Sequence, residues 1–384
     1  MSVLVVSFDA VGDKVFEAMA KDGAAYPNVA KFMQGSFYRG GIKTVFVSNT
    51  YPVHASVSTG SLPKDHGIIS NLLPPKKNKE RPWAQKAELI KTKTIWDAAK
   101  EKKLSTAAFL WPVTCGAKID YHIPEVHPEK GQNLLFQSLL YGSVFFQLSV
   151  IIKFAKLLFK ALKSISRGGA GQPELDNFTA AAAHSLLKRK KCDLVLVHLI
   201  AYDSIFHFFG SKGREIEEAK KALDSNLGMI LENWGDETVI IFSDHSQLDA
   251  AENINLSEIY GDAVFEQAGG CAFFDKTFAQ NLSAVKNMEK QPWFGRHLTN
   301  EELEESGYSG ALGAAAKEGY VFTSGKYKYK GSHGYPADYK NYNVFYCVKG
   351  RNFPPGQNYN WLKNQITDTT AIIAKELNLD MEIR

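Results

Sequence analysis

Several things are scarce in this chain of 384 residues, and each scarcity excludes something. There are four cysteines, Cys115, Cys192, Cys271 and Cys347, far apart and with no CxxC or zinc-knuckle spacing. That excludes a disulfide scaffold and a thiolate metal cluster, and it reads as free thiols in a reducing compartment. Charge of one sign is not in excess: 45 basic against 41 acidic residues leave +4, so no specific nucleic-acid partner is expected. The basic runs are short, Lys76, Lys77, Lys79 and Arg81, then Lys188 to Lys191, and read as solvated loop and helix-end charge. The N-terminus lacks a basic start followed by a long apolar core, so a cytoplasmic location is expected. No internal repeat is visible.

What is present is a set of buried-strand patterns. Val3 to Phe8 is an apolar, β-branched run ending at Asp9. Leu194 to Ala201 is a second, reaching Asp203 after Tyr202, and Val239 to Ser243 is a third, ending at Asp244. Continuous apolar runs of this kind suit parallel strands covered on both faces. Helical patterns such as Glu215 to Leu231 separate them. The alternation predicts an α/β fold with a mostly parallel central sheet flanked by helices. Ser105 to Leu110 and Val344 to Lys349 are further strand candidates, and helices are expected near Thr94 to Lys102 and Thr367 to Leu377. We expect one catalytic domain over residues 1–384, with insertions near 120–175 and 275–330. In such sheets function gathers beyond the carboxyl ends of the strands, and three aspartates lie there.

The stretch 131–165 is unusual. No charged residue occurs from Gly131 to Ile152, and Lys153, Lys156, Lys160 and Lys163 then follow among apolar residues. A membrane-spanning helix needs about 20 apolar residues. Here Gln132, Asn133, Gln137, Ser138, Gly142, Ser143, Gln147 and Ser149 interrupt the run, which also lies between strands that must share one sheet. It reads as an apolar helical cap, and its lysines make it the expected place for any membrane-surface contact.

Four short motifs carry the chemistry. Asp203 and His207 stand four apart and share a face if helical. Asp244 and His245 are adjacent, directly after a strand. His333 lies between glycines, in Gly331-Ser332-His333-Gly334, where a loop can approach a ligand closely. Thr50 begins a run of small residues, with Pro52 suited to a first helical turn and Gly60 to its end. That puts its hydroxyl at the positive end of a helix, a place suited to phosphate. Taken singly, each has an ordinary reading as a cap, a surface pair or a turn. Together with Asp9 they supply three carboxylates, three imidazoles and a hydroxyl. Such a set suits two divalent metals ~3.5–4 Å apart, which activate an attacking oxygen and steady the charge of the transition state.

At these residues the chain resembles the alkaline phosphatase superfamily, and within it the type I phosphodiesterase/nucleotide pyrophosphatase family. Phe8-Asp9, Thr50-Tyr51-Pro52 with Ser58-Thr59-Gly60, Asp65-His66-Gly67-Ile68-Ile69-Ser70-Asn71 and Leu110-Trp111-Pro112 carry the likeness in order along the chain. The resemblance implies Thr50 as nucleophile and metal ligand, with Asn71 donating to a phosphoryl oxygen. It implies one metal held by Asp203, His207 and His333, and the other by Asp9, Asp244 and His245. Zinc is the leading expectation, and manganese or iron also fits these ligand types. The implied substrate is a small phosphodiester or nucleotide, cleaved through a phosphothreonine intermediate. Two alternatives stand beside it: a phosphonate or phosphate monoester hydrolase on the same scaffold, and an inactive binding or membrane-surface protein. Ser246, Tyr202 and Ser204-Ile205-Phe206 depart from the usual residues of the family, which leaves substrate choice open.

Overall fold

The computed structural model describes residues 1–74, 81–166, 173–189, 192–325 and 328–383. Lys76, Lys77, Lys79, Lys190 and Lys191 of the two basic runs lie outside these residues. The organising element is a seven-stranded sheet. Its strands are β1 (Val3–Phe8), β2 (Phe37–Ile42), β3 (Thr106–Phe109), β4 (Tyr121–Ile123), β5 (Leu194–Leu199) and β6 (Thr238–Phe242), with a late strand Val344–Lys349. The order is β2, Val344–Lys349, β6, β1, β5, β3, β4. β6, β1, β5, β3 and β4 run parallel, and Val344–Lys349 is antiparallel to both its neighbours. The mostly parallel sheet predicted from the apolar runs is therefore present.

Side chains alternate across a strand, and β1 shows what that does here. Leu4, Val6 and Phe8 enter one core layer with Phe178, Leu223 and Leu227 of helices Pro173–Leu187 and Arg214–Leu231. Val3 and Val5 enter the other with Trp96, Ile372 and Ile373 of helices Ile95–Glu101 and Asp368–Leu377. A slip of one residue would exchange the two faces, but both are apolar. The polar end at Asp9 is what marks the register.

Two smaller sheets lie beyond the main one. A four-stranded antiparallel sheet contains Val264–Gln267, Cys271–Phe274, Phe294–His297 and Leu312–Ala316. A three-stranded sheet joins Leu248–Ile254, Gly319–Phe322 and Gly331–Ser332. Leu256, Phe274, Met288, Trp293 and Tyr335 give this region a core of its own. It begins earlier in the chain than the weak alternation around 275–330 indicates, because Leu248–Ile254 already leaves the main sheet.

The stretch 131–165 forms three short helices, Leu134–Tyr141, Val144–Lys153 and Ala155–Ser166. Leu135, Phe146, Val150 and Leu158 pack on the main core. Among the described residues no helix is long and apolar enough to cross a membrane. The helical part starts at Leu134 rather than near residue 120, since Tyr121–Ile123 belongs to the main sheet. All four cysteines are buried, and none of them forms a disulfide.

Candidate active site

The parallel register builds the floor of the site. Ser7 pairs with Phe242 and with His198. Two residues further along both strands, Asp9 and Asp244 come side by side, and Asp244 Oδ1 accepts from the Ala10 N–H at 3.1 Å. Ala10 has a φ of +63°, a sharp left-handed turn directly after Asp9. On the other flank the Asp9 N–H donates to the Leu199 carbonyl at 3.0 Å, and helix Ala201–Phe209 then starts. Asp203 lies in its first turn and His207 one turn on.

Thr50 opens helix Thr50–Thr59, which follows an extended Asn49 and ends at Gly60 with a φ of +70°. The Tyr51 N–H donates to Asn71 Oδ1 at 2.9 Å. This ties Asn71 to the first helical turn and leaves its NH2 to donate elsewhere.

The three imidazoles share one orientation. His207 Nδ1 is 2.9 Å from the Gly331 carbonyl, His333 Nδ1 is 2.8 Å from Asn49 Oδ1, and His245 Nδ1 is 3.3 Å from the Ser246 carbonyl. An Nδ1–H given to an oxygen fixes the tautomer that offers an Nε2 lone pair. All three Nε2 atoms then face carboxylates. His207 and His333 lie 3.5 and 3.9 Å from Asp203 Oδ1. His245 lies 3.4 Å from Asp9 Oδ1, 3.3 Å from Asp244 Oδ2 and 3.2 Å from the Thr50 hydroxyl.

Among the described residues two groups have the spacing of metal ligands: Asp203 with His207 and His333, and Asp9 with Asp203 and His245. Asp203 thus belongs to both, and Asp244 approaches the second group through His245. Burial pushes the Asp9 and Asp244 carboxyls well up, helped by Asp203 on the first and by Asp9 on the second. Burial and neighbouring imidazoles push His245 well down, and burial takes His333 down to about 4. Asp9 Oδ1 and Asp244 Oδ2 are buried without a hydrogen-bond partner. Crowded carboxylates, neutral imidazoles and orphaned oxygens fit the donor set of a divalent cation.

Several further residues surround the site. His198 Nε2 is 3.1 Å from Asp9 Oδ2 and its Nδ1 is 3.1 Å from the Leu110 carbonyl. His54 Nε2 is 2.9 Å from the Ser7 hydroxyl, with its Nδ1 2.8 Å from the Thr50 carbonyl. Gln247 donates to Asp203 Oδ1 and, at 3.2 Å, to its carbonyl. Asp176 accepts from the Ile200 and Ala201 N–H groups at 2.9 and 3.0 Å, anchoring the helix that carries Asp203. Period and strand ends point to His198, which sits in β5, but not to Asp176 or Gln247.

Thr50, Asn71, Asp9, Asp203, His207 and His333 line a cleft of about 600 Å3. Its outer wall holds Trp83 stacked on His127 at 3.7 Å, Glu125, and Arg81 paired to Glu266 at 3.0 Å.

The family model of type I phosphodiesterase / nucleotide pyrophosphatase matches residues 3–336. The chain belongs to this family. Human ectonucleotide pyrophosphatase/phosphodiesterase family member 1 is 24% identical over 253 residues, 62% of this chain and 23% of that protein. The rat protein is 23% identical over 253 residues, 62% of this chain and 24% of its own length. The chain thus spans about a quarter of the curated relatives it matches. In fold it is similar to murine ectonucleotide pyrophosphatase / phosphodiesterase 5, solved as an inactive form with AMP. The TM-score is 0.67 at 16% identity, covering 100% of this chain and 96% of the other. It is also similar to phosphonoacetate hydrolase from Sinorhizobium meliloti 1021 in complex with phosphonoformate, with TM-score 0.65, 16% identity and 98% and 96% coverage. The family is one of hydrolases, and both likenesses place the chain on its α/β scaffold.

Proposed function

We propose that this chain hydrolyses phosphodiester or pyrophosphate bonds of small molecules, with Thr50 as nucleophile and two divalent cations as cofactors. The observation that carries this reading is the convergence of three Nε2 atoms, three carboxylates and the Thr50 hydroxyl at the end of one sheet. Asp203, His207 and His333 would hold one cation, and Asp9, Asp244 and His245 the other, zinc being the leading candidate. When bound, such ions lower the pKa of a nearby hydroxyl and offset charge on phosphoryl oxygens.

The protein's own groups do the rest. The helix beginning at Thr50 turns the positive end of its dipole toward an anion. Thr50 attacks phosphorus after giving up its hydroxyl proton to solvent; its Oγ1 lies 3.2 Å from His245 Nε2, within reach of the cation that His245 would hold and that would lower the hydroxyl's pKa. Asn71, fixed through Tyr51, donates its NH2 to a non-bridging oxygen, a contact typically worth a few kcal/mol in the transition state. As the Thr50 oxygen bonds to phosphorus, one ester P–O bond breaks and the alkoxide leaves, taking a proton from solvent; water then adds to phosphorus, the bond to the Thr50 oxygen breaks, and a phosphate monoester is released. Arg81 is the one arginine lining the cleft among the described residues, and Glu266 already neutralises it. A diester, with a single negative charge, suits that environment better than a doubly charged monoester.

The test is metal content together with bis-nitrophenyl phosphate hydrolysis, for wild type and Thr50→Ala, with and without chelator. We expect two transition-metal ions per chain, and a loss of turnover of about a thousandfold or more in Thr50→Ala and after chelation. Bound metal with no diester turnover but cleavage of a monoester or phosphonate would move the reaction to that class. Absence of metal and of any turnover would remove the enzymatic reading.

A further inference from the structure

Beside the catalytic cleft lies a second cavity of about 400 Å3. Most of its wall is hydrocarbon, with Leu134 and Leu135 from the first cap helix, Leu158 and Leu162 from the third, and Leu175 and Phe178 from helix Pro173–Leu187; Glu125, His127 and Ser204 stand on the side toward the cleft. It shares Glu125, His127, Ile200 and Ser204 with the cleft that holds Thr50 and Asp203, so the two spaces adjoin. Apolar cavities hold water poorly and gain by taking an apolar group.

The outside of the same cap is apolar too. Phe145 and Ile152 are 91% and 79% exposed, and Phe136, Leu140, Leu148 and Phe159 are exposed with them. Phe145, Leu148 and Ile152 stand at helical spacing on one side of Val144–Lys153. Lys156, Lys160 and Lys163 follow at the same kind of spacing on Ala155–Ser166, and no acidic residue occurs from Gly131 to Pro173. Soluble surfaces seldom expose apolar groups in such concentration. Exposed aromatic and aliphatic side chains beside lysines, with no acid among them, complement an anionic lipid surface.

We propose that the second cavity is a hydrocarbon-chain subsite. Building on the phosphodiesterase reading above, the substrate is a phosphodiester with an alkyl or acyl chain on one ester group. The cap sits on an anionic bilayer, and its inner helices receive the chain while the phosphoryl group reaches Thr50.

The experiment uses the full, metal-loaded chain and nitrophenyl alkyl phosphates with methyl, butyl or octyl as the alkyl group, kept below their micelle concentrations. The expected result is a kcat/KM that rises about tenfold or more from methyl to octyl. Ala161→Phe, which fills the cavity, should abolish that rise while methyl-ester hydrolysis stays at the wild-type rate. Leu162→Asn, at a half-buried wall position, should reduce it in the same direction if the larger side chain disturbs folding. Occupancy is read independently of turnover by the fluorescence of cis-parinaric acid, enhanced on wild type and lost in Ala161→Phe. A flat alkyl series, or no enhancement with wild type, overturns the subsite. Enhancement without hydrolysis of any diester keeps the subsite and overturns the phosphodiesterase reading instead. For the outer face, co-sedimentation with phosphatidylcholine vesicles containing phosphatidylglycerol should be strong. It should fall about tenfold or more in Phe145→Glu/Ile152→Glu, both exposed positions. Equal binding to neutral vesicles, or none to either, overturns the membrane part.

Discussion

The two halves of the candidate metal site are built differently. Asp9, Asp244 and His245 are buried at the ends of adjacent strands, with His54 and His198 packed behind them. Asp203, His207 and His333 keep about 12–16% of their side-chain surface exposed, and come from a helix and a loop far apart in the chain. Strand register alone brings Asp9 beside Asp244, and the whole core holds that register in place. The outer group depends on Asp176 under the helix, on Asn49 behind His333 and on glycines at 331 and 334. The inner half is therefore fixed by the fold, while the outer half can vary with the segments that border the cleft.

The largest test of this contrast is kinetic. His245→Ala should lower kcat/KM by about a thousandfold or more, because it would remove a fully buried ligand that contacts Asp9, Asp244 and Thr50 together. His207→Ala, at the open edge, should lose about a hundredfold, with partial rescue by imidazole. Equal losses without rescue would erase the distinction.

A smaller effect should follow at the loop that delivers His333. A Cβ on Gly334 would lie 1.6 Å from the Ala268 carbonyl oxygen, at a φ of +83°. Gly334→Ala should destabilise the protein by about 3 kcal/mol in urea unfolding and loosen one metal site while sparing the other. Loss of both metals would mean that the halves are not independent.

The smallest concerns the helix anchor. Burial raises the Asp176 carboxyl from its ordinary value to about 6, against the two N–H groups that favour its charge, with His198 and Asp9 the ionisable groups nearest in effect. The folded state then holds a proton that the unfolded state has released between about pH 4 and 6. Stability from this group is greatest below about pH 4, declines as pH rises through that window and is level above it. The decline amounts to about 2–3 kcal/mol, and Asp176→Asn should remove it from denaturation midpoints measured across that range.

Much of this was legible in the sequence because strand ends are local signals. Val3 to Phe8, Leu194 to Ala201 and Val239 to Ser243 announced themselves by unbroken apolar character, and the Asp after each is visible without a structure. Helix signals such as Thr94 before Ile95–Glu101 were also legible, since a capping box needs only neighbouring residues. The antiparallel sense of Val344–Lys349 was not, because direction is settled by a long connection and not by the strand itself. Asp176 and Ile200, or Asn49 and His333, meet across long separations in the chain, and no periodicity encodes such pairs. The cap was read as helical, but the break between its first two helices reflects Gly142 and Ser143 interrupting the pattern where the chain must also pack against β4.

The four cysteines carry a practical consequence. Burial pushes Cys115 and Cys347 up to about 12 and raises Cys271 well above the ordinary thiol value, while Cys192 has no exposed surface. Thiolates are the reactive species, so the native fold is chemically quiet toward maleimides and mild oxidants. A cysteine introduced at Phe145 or Ile152 would be the reactive one, and a fluorophore there could report insertion of the cap into lipid with every natural cysteine left in place.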